Sequence, residues 1–201
     1  MKTVYQILLV VAIVLLTYFI YESIMNPIRF NRDKDRRYAR TIDRLKDIRT
    51  AQIAYRSEHN KFTGSFDTLI DFVKSGEFRV LRQIGSMDDS VAVARGLVYR
   101  DTIRIPVKDS LFRKGYPVDS LRFVPFSGGR YQFEMGAGDL STGSGLTIKV
   151  FEAKVHNDIL LKGLDRQLVV NLNDLRKKLE RYPGLQVGSL TVATNHAGNW
   201  E

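Results

Sequence analysis

Residues 4–21 carry only two clearly polar side chains, Gln6 and Thr17, and their centre is an unbroken apolar run: Ile7, Leu8, Leu9, Val10, Val11, Ala12, Ile13, Val14, Leu15 and Leu16. At ~1.5 Å rise per residue a helix over this stretch is roughly 27 Å long, close to the roughly 30 Å thickness of a bilayer's hydrocarbon core. The run is therefore expected to span a membrane and to tether everything after it. A cleaved signal peptide shares the lysine, the apolar run and the N-terminal position. Signal peptidase requires small residues before its cut, however, and the flank reads Tyr21-Glu22-Ser23-Ile24-Met25-Asn26-Pro27. Cysteine is absent, which excludes lipoprotein processing. We expect the anchor to be retained.

The net charge of +9 is concentrated beside this span. Residues 29–49 hold nine basic and four acidic side chains, a balance of +5, and residues 50–201 supply the other +4. Arg29, Arg32, Lys34, Arg36, Arg37 and Arg40 read most simply as contacts to anionic lipid headgroups, each worth about 1 kcal/mol near an anionic surface. Asp33, Asp35, Asp43 and Asp47 interleave with the bases as on a solvated helix. Nucleic acid is not expected as a partner, because no reader motif accompanies the basic residues.

Pro27 is expected to kink or briefly break the helix. Beyond it, Tyr38, Ile42, Leu45, Ile48, Ala51 and Tyr55 recur every three or four residues, which predicts an amphipathic helix from about Arg36 to Glu58. We take Ile42, Leu45, Ile48 and Tyr55 as its interaction stripe, packing on its own domain or on another chain. A second, shorter helix has every boundary signal: Ser65 as cap, Asp67 in the first turn, Lys74 in the last and Gly76 at the stop. Phe66, Leu69, Ile70 and Val73 share its buried face.

The period changes over residues 97–155. Ile103, Ile105 and Val107 alternate with polar residues, and Pro106 favours an edge strand. Leu121 and Phe123, then Tyr131, Phe133 and Met135, flank Ser127-Gly128-Gly129 as a β-hairpin. Leu146, Ile148, Val150, Ala153 and Val155 form a further strand with a slip near Phe151, and MGAGDLSTGSG before it reads as a flexible connection. Short links make the sheet mainly antiparallel. Toward the C-terminus Leu168, Leu172, Leu175 and Leu179 form a helical stripe while Val169-Val170 could equally end a strand; with Asn171 or Asn173 as cap, a helix is expected from Asn173 to Arg181. Tyr182-Pro183-Gly184 stops it, an extended segment follows over residues 186–193, and the end is polar and frayed.

The fold class is thus α+β: a transmembrane helix continuing into an amphipathic helix, then a small, mainly antiparallel sheet with one or two packed helices. The divisions are residues 1–30 for the anchor and its exit, 31–62 for the basic amphipathic helix and 63–201 for the head.

Candidate chemistry is sparse. His59, His156 and His196 stand singly, and without cysteine no thiolate metal site is possible. Gly138 and Gly143-Ser144 have the spacing of a phosphate loop but lack its lysine and following helix, so a hairpin loop is expected. Asp88-Asp89 read as a loop, since adjacent side chains diverge on helix and strand alike. No nucleophile elbow accompanies the serines and histidines. We expect no enzyme activity, no cofactor, no metal and no small-molecule substrate.

The apolar helix, the proline near its outer end, the basic continuation and then DIRTAQIAYRSEHNKFTGSFDTLIDFVKSG over residues 47–76 resemble the pilin and pseudopilin family of type IV pili and type II secretion. The resemblance covers about the first 76 residues. The family's cleavage-site glycine and early glutamate have no counterpart here, and Glu22 lies at the far end of the span. The resemblance therefore implies a pilin-like anchored subunit or assembly-platform component of an envelope machine, with membrane lipid and a protein partner or a second copy as its contacts. The alternative is an anchored binding module for an envelope ligand or, with reversed topology, for a cytoplasmic partner. Counting charge places the head in the cytoplasm, whereas a short N-terminus normally stays inside while a long domain crosses. The resemblance favours a bacterial inner membrane with a periplasmic head.

Overall fold

The computed structural model describes residues 2–84, 99–143 and 145–201. Helix α1, Lys2–His59, is continuous for 58 residues and passes through Pro27 without interruption. The expected break does not occur. Proline removes one backbone donor, and the turns just beyond it are held by packing, beginning at Phe30, which is buried. From there Thr41, Leu45, Ile48, Gln52 and Tyr55, spaced three or four apart, form a buried stripe. One helix therefore serves as bare rod and as spine of the head.

The turn after α1 is fixed by a buried amide. Gln52 Nε2 donates to the Thr63 carbonyl at 2.6 Å while its Oε1 accepts from Thr63 N at 3.2 Å, so both ends of this side chain are satisfied. Helix α2, Phe66–Ser75, follows with Ser65 as its cap and buries Leu69, Ile70 and Val73, as its periodicity requires. Strand β1, Glu77–Ile84, then pairs antiparallel with β2, Tyr99–Pro106, from Glu77 opposite Pro106 to Ile84 opposite Tyr99. Pro106 does end an edge strand, and Val107 is buried at the start of a short helix, α3, Val107–Leu111.

The head's main sheet has the order β3-β4-β5, all antiparallel, from β3, Glu134–Ser141, β4, Thr147–His156, and β5, Gly184–Gly188. Three expectations need correction here. Leu121 lies in a 3-10 turn, Val118–Arg122, so the hairpin at Ser127-Gly128-Gly129 is closed by a single bridge, Phe123 to Gln132, and not by a ladder. The supposed flexible connection is strand β3, whose glycines are held in register against β4, Gly136 opposite Glu152 and Gly138 opposite Val150. Pairing with β4 overrides the low strand propensity of glycine. The slip near Phe151 is not a bulge: register is kept, and Val150 and Phe151 are both buried because both faces are covered there.

Helix α4, Asn157–Leu160, leads to α5, Arg166–Lys178, which starts seven residues earlier than expected because Asp165, whose side chain accepts from Leu168 N at 3.1 Å, is its cap. Asn173 is not a cap. It is buried and bonded to Asn157 and Asp158. Leu168 and Leu172 pack against the core, whereas Leu175 and Leu179 are exposed. The C-terminus is pinned: Asn199 Nδ2 donates to the Gly184 carbonyl, Gly188 N donates to the Ala197 carbonyl, Arg49 pairs with Glu201 at 2.7 Å, and Trp200 packs on the core.

Candidate functional site

Three surfaces carry the residues singled out by the sequence. The first is the apolar end of α1. From Ile7 to Leu16 every large side chain is 52–66% exposed, and nothing from the head covers it. It is the single helix among the described residues long and apolar enough to cross a membrane, and it is consistent with a membrane anchor.

The second surface holds the basic residues, which the structure separates into different roles. Arg29 pairs with Glu22 at 3.3 Å and Arg32 with Asp33 at 3.5 Å, both at the surface, and the half-buried Lys34 pairs with Asp35 at 3.4 Å. Arg37 turns inward, donating to the carbonyls of Leu160 at 3.0 Å and Lys162 at 2.9 Å, so its guanidinium straps the head to α1 and is not free for lipid. Arg36 lies over the Phe126 ring at 6.0 Å, and Arg40 projects outward with no bonded partner among the described residues.

The interaction stripe faces the chain's own head. Leu45 and Ile48 are fully buried and Tyr55 nearly so, with Ile42 packed at the edge of the same core. Contact between copies through these side chains would require the head to unfold.

The third surface is a groove of about 740 Å³ that the sequence did not reveal as a unit. Arg36, Arg40, Asp43, Arg44 and Asp47 on α1 form one wall, and Phe112, Arg113, Tyr116 and Phe126 form the other. Tyr116 donates to Asp47 Oδ2 at 2.5 Å, and Arg44 donates to Ser120 Oγ at 2.5 Å while lying over the Tyr116 ring at 5.8 Å. Burial, and then the bond to Asp47, push the Tyr116 hydroxyl far above its ordinary pKa, so it is a fixed proton donor. Four arginines against two aspartates leave the groove cationic. Phe126 is half exposed and held at φ 63°, a strained conformation for an aromatic residue. The one signal in the sequence was the aromatic and basic clustering of Phe112-Arg113-Lys114-Gly115-Tyr116.

The histidines serve the fold. His59 stacks on Tyr55 at 4.2 Å, His156 accepts from Asp158 N as the cap of α4, and His196 packs against Phe62 and Phe151. No group of metal-ligating side chains occurs among the described residues. Gly138 lies in β3 and Gly143 in the tight β3–β4 turn, where Thr142 N donates to the Leu146 carbonyl. Asp88, Asp89 and Ser144 lie outside the described residues. No family model, curated protein or solved structure matches the chain.

Proposed function

We propose that this chain is a non-enzymatic, single-pass membrane protein acting as a pilin-like structural or assembly component of a bacterial envelope machine, with its head in the periplasm. The observation that carries this reading is the continuity of α1: a bare apolar segment and the spine of a packed head belong to one unbroken helix. A load or displacement applied to such a rod is passed directly to the head. Because Ile42, Leu45, Ile48 and Tyr55 are covered by the head, lateral contact with partner helices falls to the exposed segment before Asn26. Helix rise also sorts the basic residues. At ~1.5 Å per residue Arg29 stands about 12 Å beyond Tyr21 and Arg40 about 28 Å, several Debye lengths of about 8 Å away. Arg29 is the headgroup contact on this reading, Arg32 lies at the margin, and Arg36 and Arg40 belong to the groove.

The absence of cysteine makes a clean test possible. Single cysteines placed in turn from Ile7 to Ile20 and oxidised in membranes should give crosslinked dimers, or adducts with a partner, at positions recurring every three or four residues. No adduct at any position contradicts the reading. The alternative, an anchored binding module, is favoured by the cationic groove with its outward-facing Arg40. A chain that fails to crosslink yet retains an anionic ligand, losing it on Arg40→Glu, would establish that alternative instead.

A further inference from the structure

The head touches α1 at a second level, much closer to its apolar end. Asn26 Nδ2 donates to Asp165 Oδ2 at 2.9 Å, and Arg37 holds the carbonyls of Leu160 and Lys162, so the chain over residues 160–165 runs down α1 toward the anchor. Asn26 is about 7 Å beyond Tyr21 along the helix. A bilayer's headgroup layer is roughly 5–8 Å deep on each side. The loop at Gly163, Leu164 and Asp165 is thereby carried to the depth of lipid phosphates.

Beside this loop a cleft of about 420 Å³ opens, with Leu161, Leu164, Val169 and Val170 as its apolar walls, Lys162 at the rim and Arg166 at the end nearest the anchor. Its carboxylates are engaged elsewhere. Asp165 accepts from Asn26 and from Leu168 N. Asp158 Oδ1 accepts from Asn173 Nδ2 at 2.8 Å. Lys162 donates to Tyr131 Oη at 2.6 Å, so its ammonium is engaged at the rim, and Arg166 is exposed with no bonded partner among the described residues. Val170 is 41% exposed. The unengaged Arg166 cation beside an apolar wall matches the two halves of a phospholipid, phosphate and upper acyl chain.

We propose that this cleft binds the phosphate of an anionic phospholipid in the membrane that holds α1, so that the head is seated on the bilayer and not merely tethered to it. The proposal rests on the anchor reading given above. The Arg36–Arg40 groove is not a rival for the same ligand, since it stands about 22–28 Å beyond Tyr21.

The test uses the full chain in phosphatidylcholine nanodiscs doped with photoactivatable phosphatidylglycerol, with adducts located by mass spectrometry. The expected result is labelling of residues 158–170 in addition to α1, reduced about fivefold by Arg166→Gln, as for loss of one cation near an anionic surface. Arg166→Lys should restore it. Lys177→Gln removes the same charge from the far end of α5 and should leave labelling unchanged. Labelling of α1 alone, equal labelling of residues 158–170 by a phosphatidylcholine probe, or an equal loss with Lys177→Gln overturns the cleft while leaving the anchor intact. Absence of label on α1 itself overturns the anchor reading as well.

Discussion

Tyr38 donates its hydroxyl proton to Asn157 Oδ1 at 2.6 Å, joining the middle of α1 to the helix that follows the central strand. The chain of bonds continues from Asn157 Nδ2 to Asn173 Oδ1 at 2.8 Å and from Asn173 Nδ2 to Asp158 Oδ1 at 2.8 Å. Buried amides are tolerated only when satisfied in this way. Tyr38→Phe leaves Asn157 Oδ1 without that donor and should destabilise the head by about 1–3 kcal/mol. Thermal unfolding in detergent should show a fall of about 2–4 °C per kcal/mol, whereas an unchanged midpoint would mean the network is dispensable.

Gln52 plays the same part at the first turn. Gln52→Leu fills the space but strands both Thr63 backbone groups, at a cost of about 1–3 kcal/mol. The loop it secures should open locally, and limited proteolysis at Lys61 should speed up before global unfolding is reached.

His196 gives the head an acid sensitivity with a defined sign. Burial, and then the charges of Arg56 and Arg49, hold its pKa below the ordinary 6.5, so the folded state favours the neutral ring. The unfolded chain binds this proton first. Stability is therefore complete above pH 6.5 and declines as pH falls from that value through the folded pKa. The carboxyl groups of Asp119, Asp165 and Glu201, held below their ordinary values, add losses only at lower pH. His196→Phe, which keeps an aromatic ring against Phe62 and Phe151, should flatten the stability profile just below pH 6.5 while leaving the steeper acid limb.

Gly76 ends α2 for a steric reason. Its φ of −71° is open to any residue, but a Cβ there would lie 2.4 Å from the Phe72 carbonyl oxygen and 3.0 Å from its ring. Gly76→Ala should cost about 1–3 kcal/mol, as overpacking does, and chemical denaturation should show it without a change in slope. A neutral result would mean that the α2–β1 junction shifts freely.

Much of this architecture was legible where one local rule governed a segment. The apolar run and the stripe through Leu45 and Ile48 foretold the two ends of α1 but not its continuity through Pro27, and Ser65 with Gly76 bounded α2, although glycine was required for clearance from Phe72 and not for a left-handed turn. Legibility failed where long-range contacts decided. Strand β3 looks like a linker until β4 lies beside it, with a Cβ on Gly136 limited to 3.0 Å from Leu190. Asn173 looks like a cap until Asn157 reaches it from 16 residues away. The groove was invisible because Arg40 and Arg113 meet only through the fold, as do Asn26 and Asp165, separated by 139 residues.

The central claim is that one unbroken helix lies in lipid at its start and in the head's core at its end. Spin labels on single cysteines along α1, in proteoliposomes, test it most directly through collision with oxygen, which enters lipid, and with a water-soluble nickel chelate, which does not. The account predicts oxygen access without nickel access at Ile7, Val11 and Leu15, nickel access at Arg32 and Arg40, and immobilised labels shielded from nickel at Leu45 and Ile48. Nickel access at Ile7, Val11 and Leu15 would contradict it.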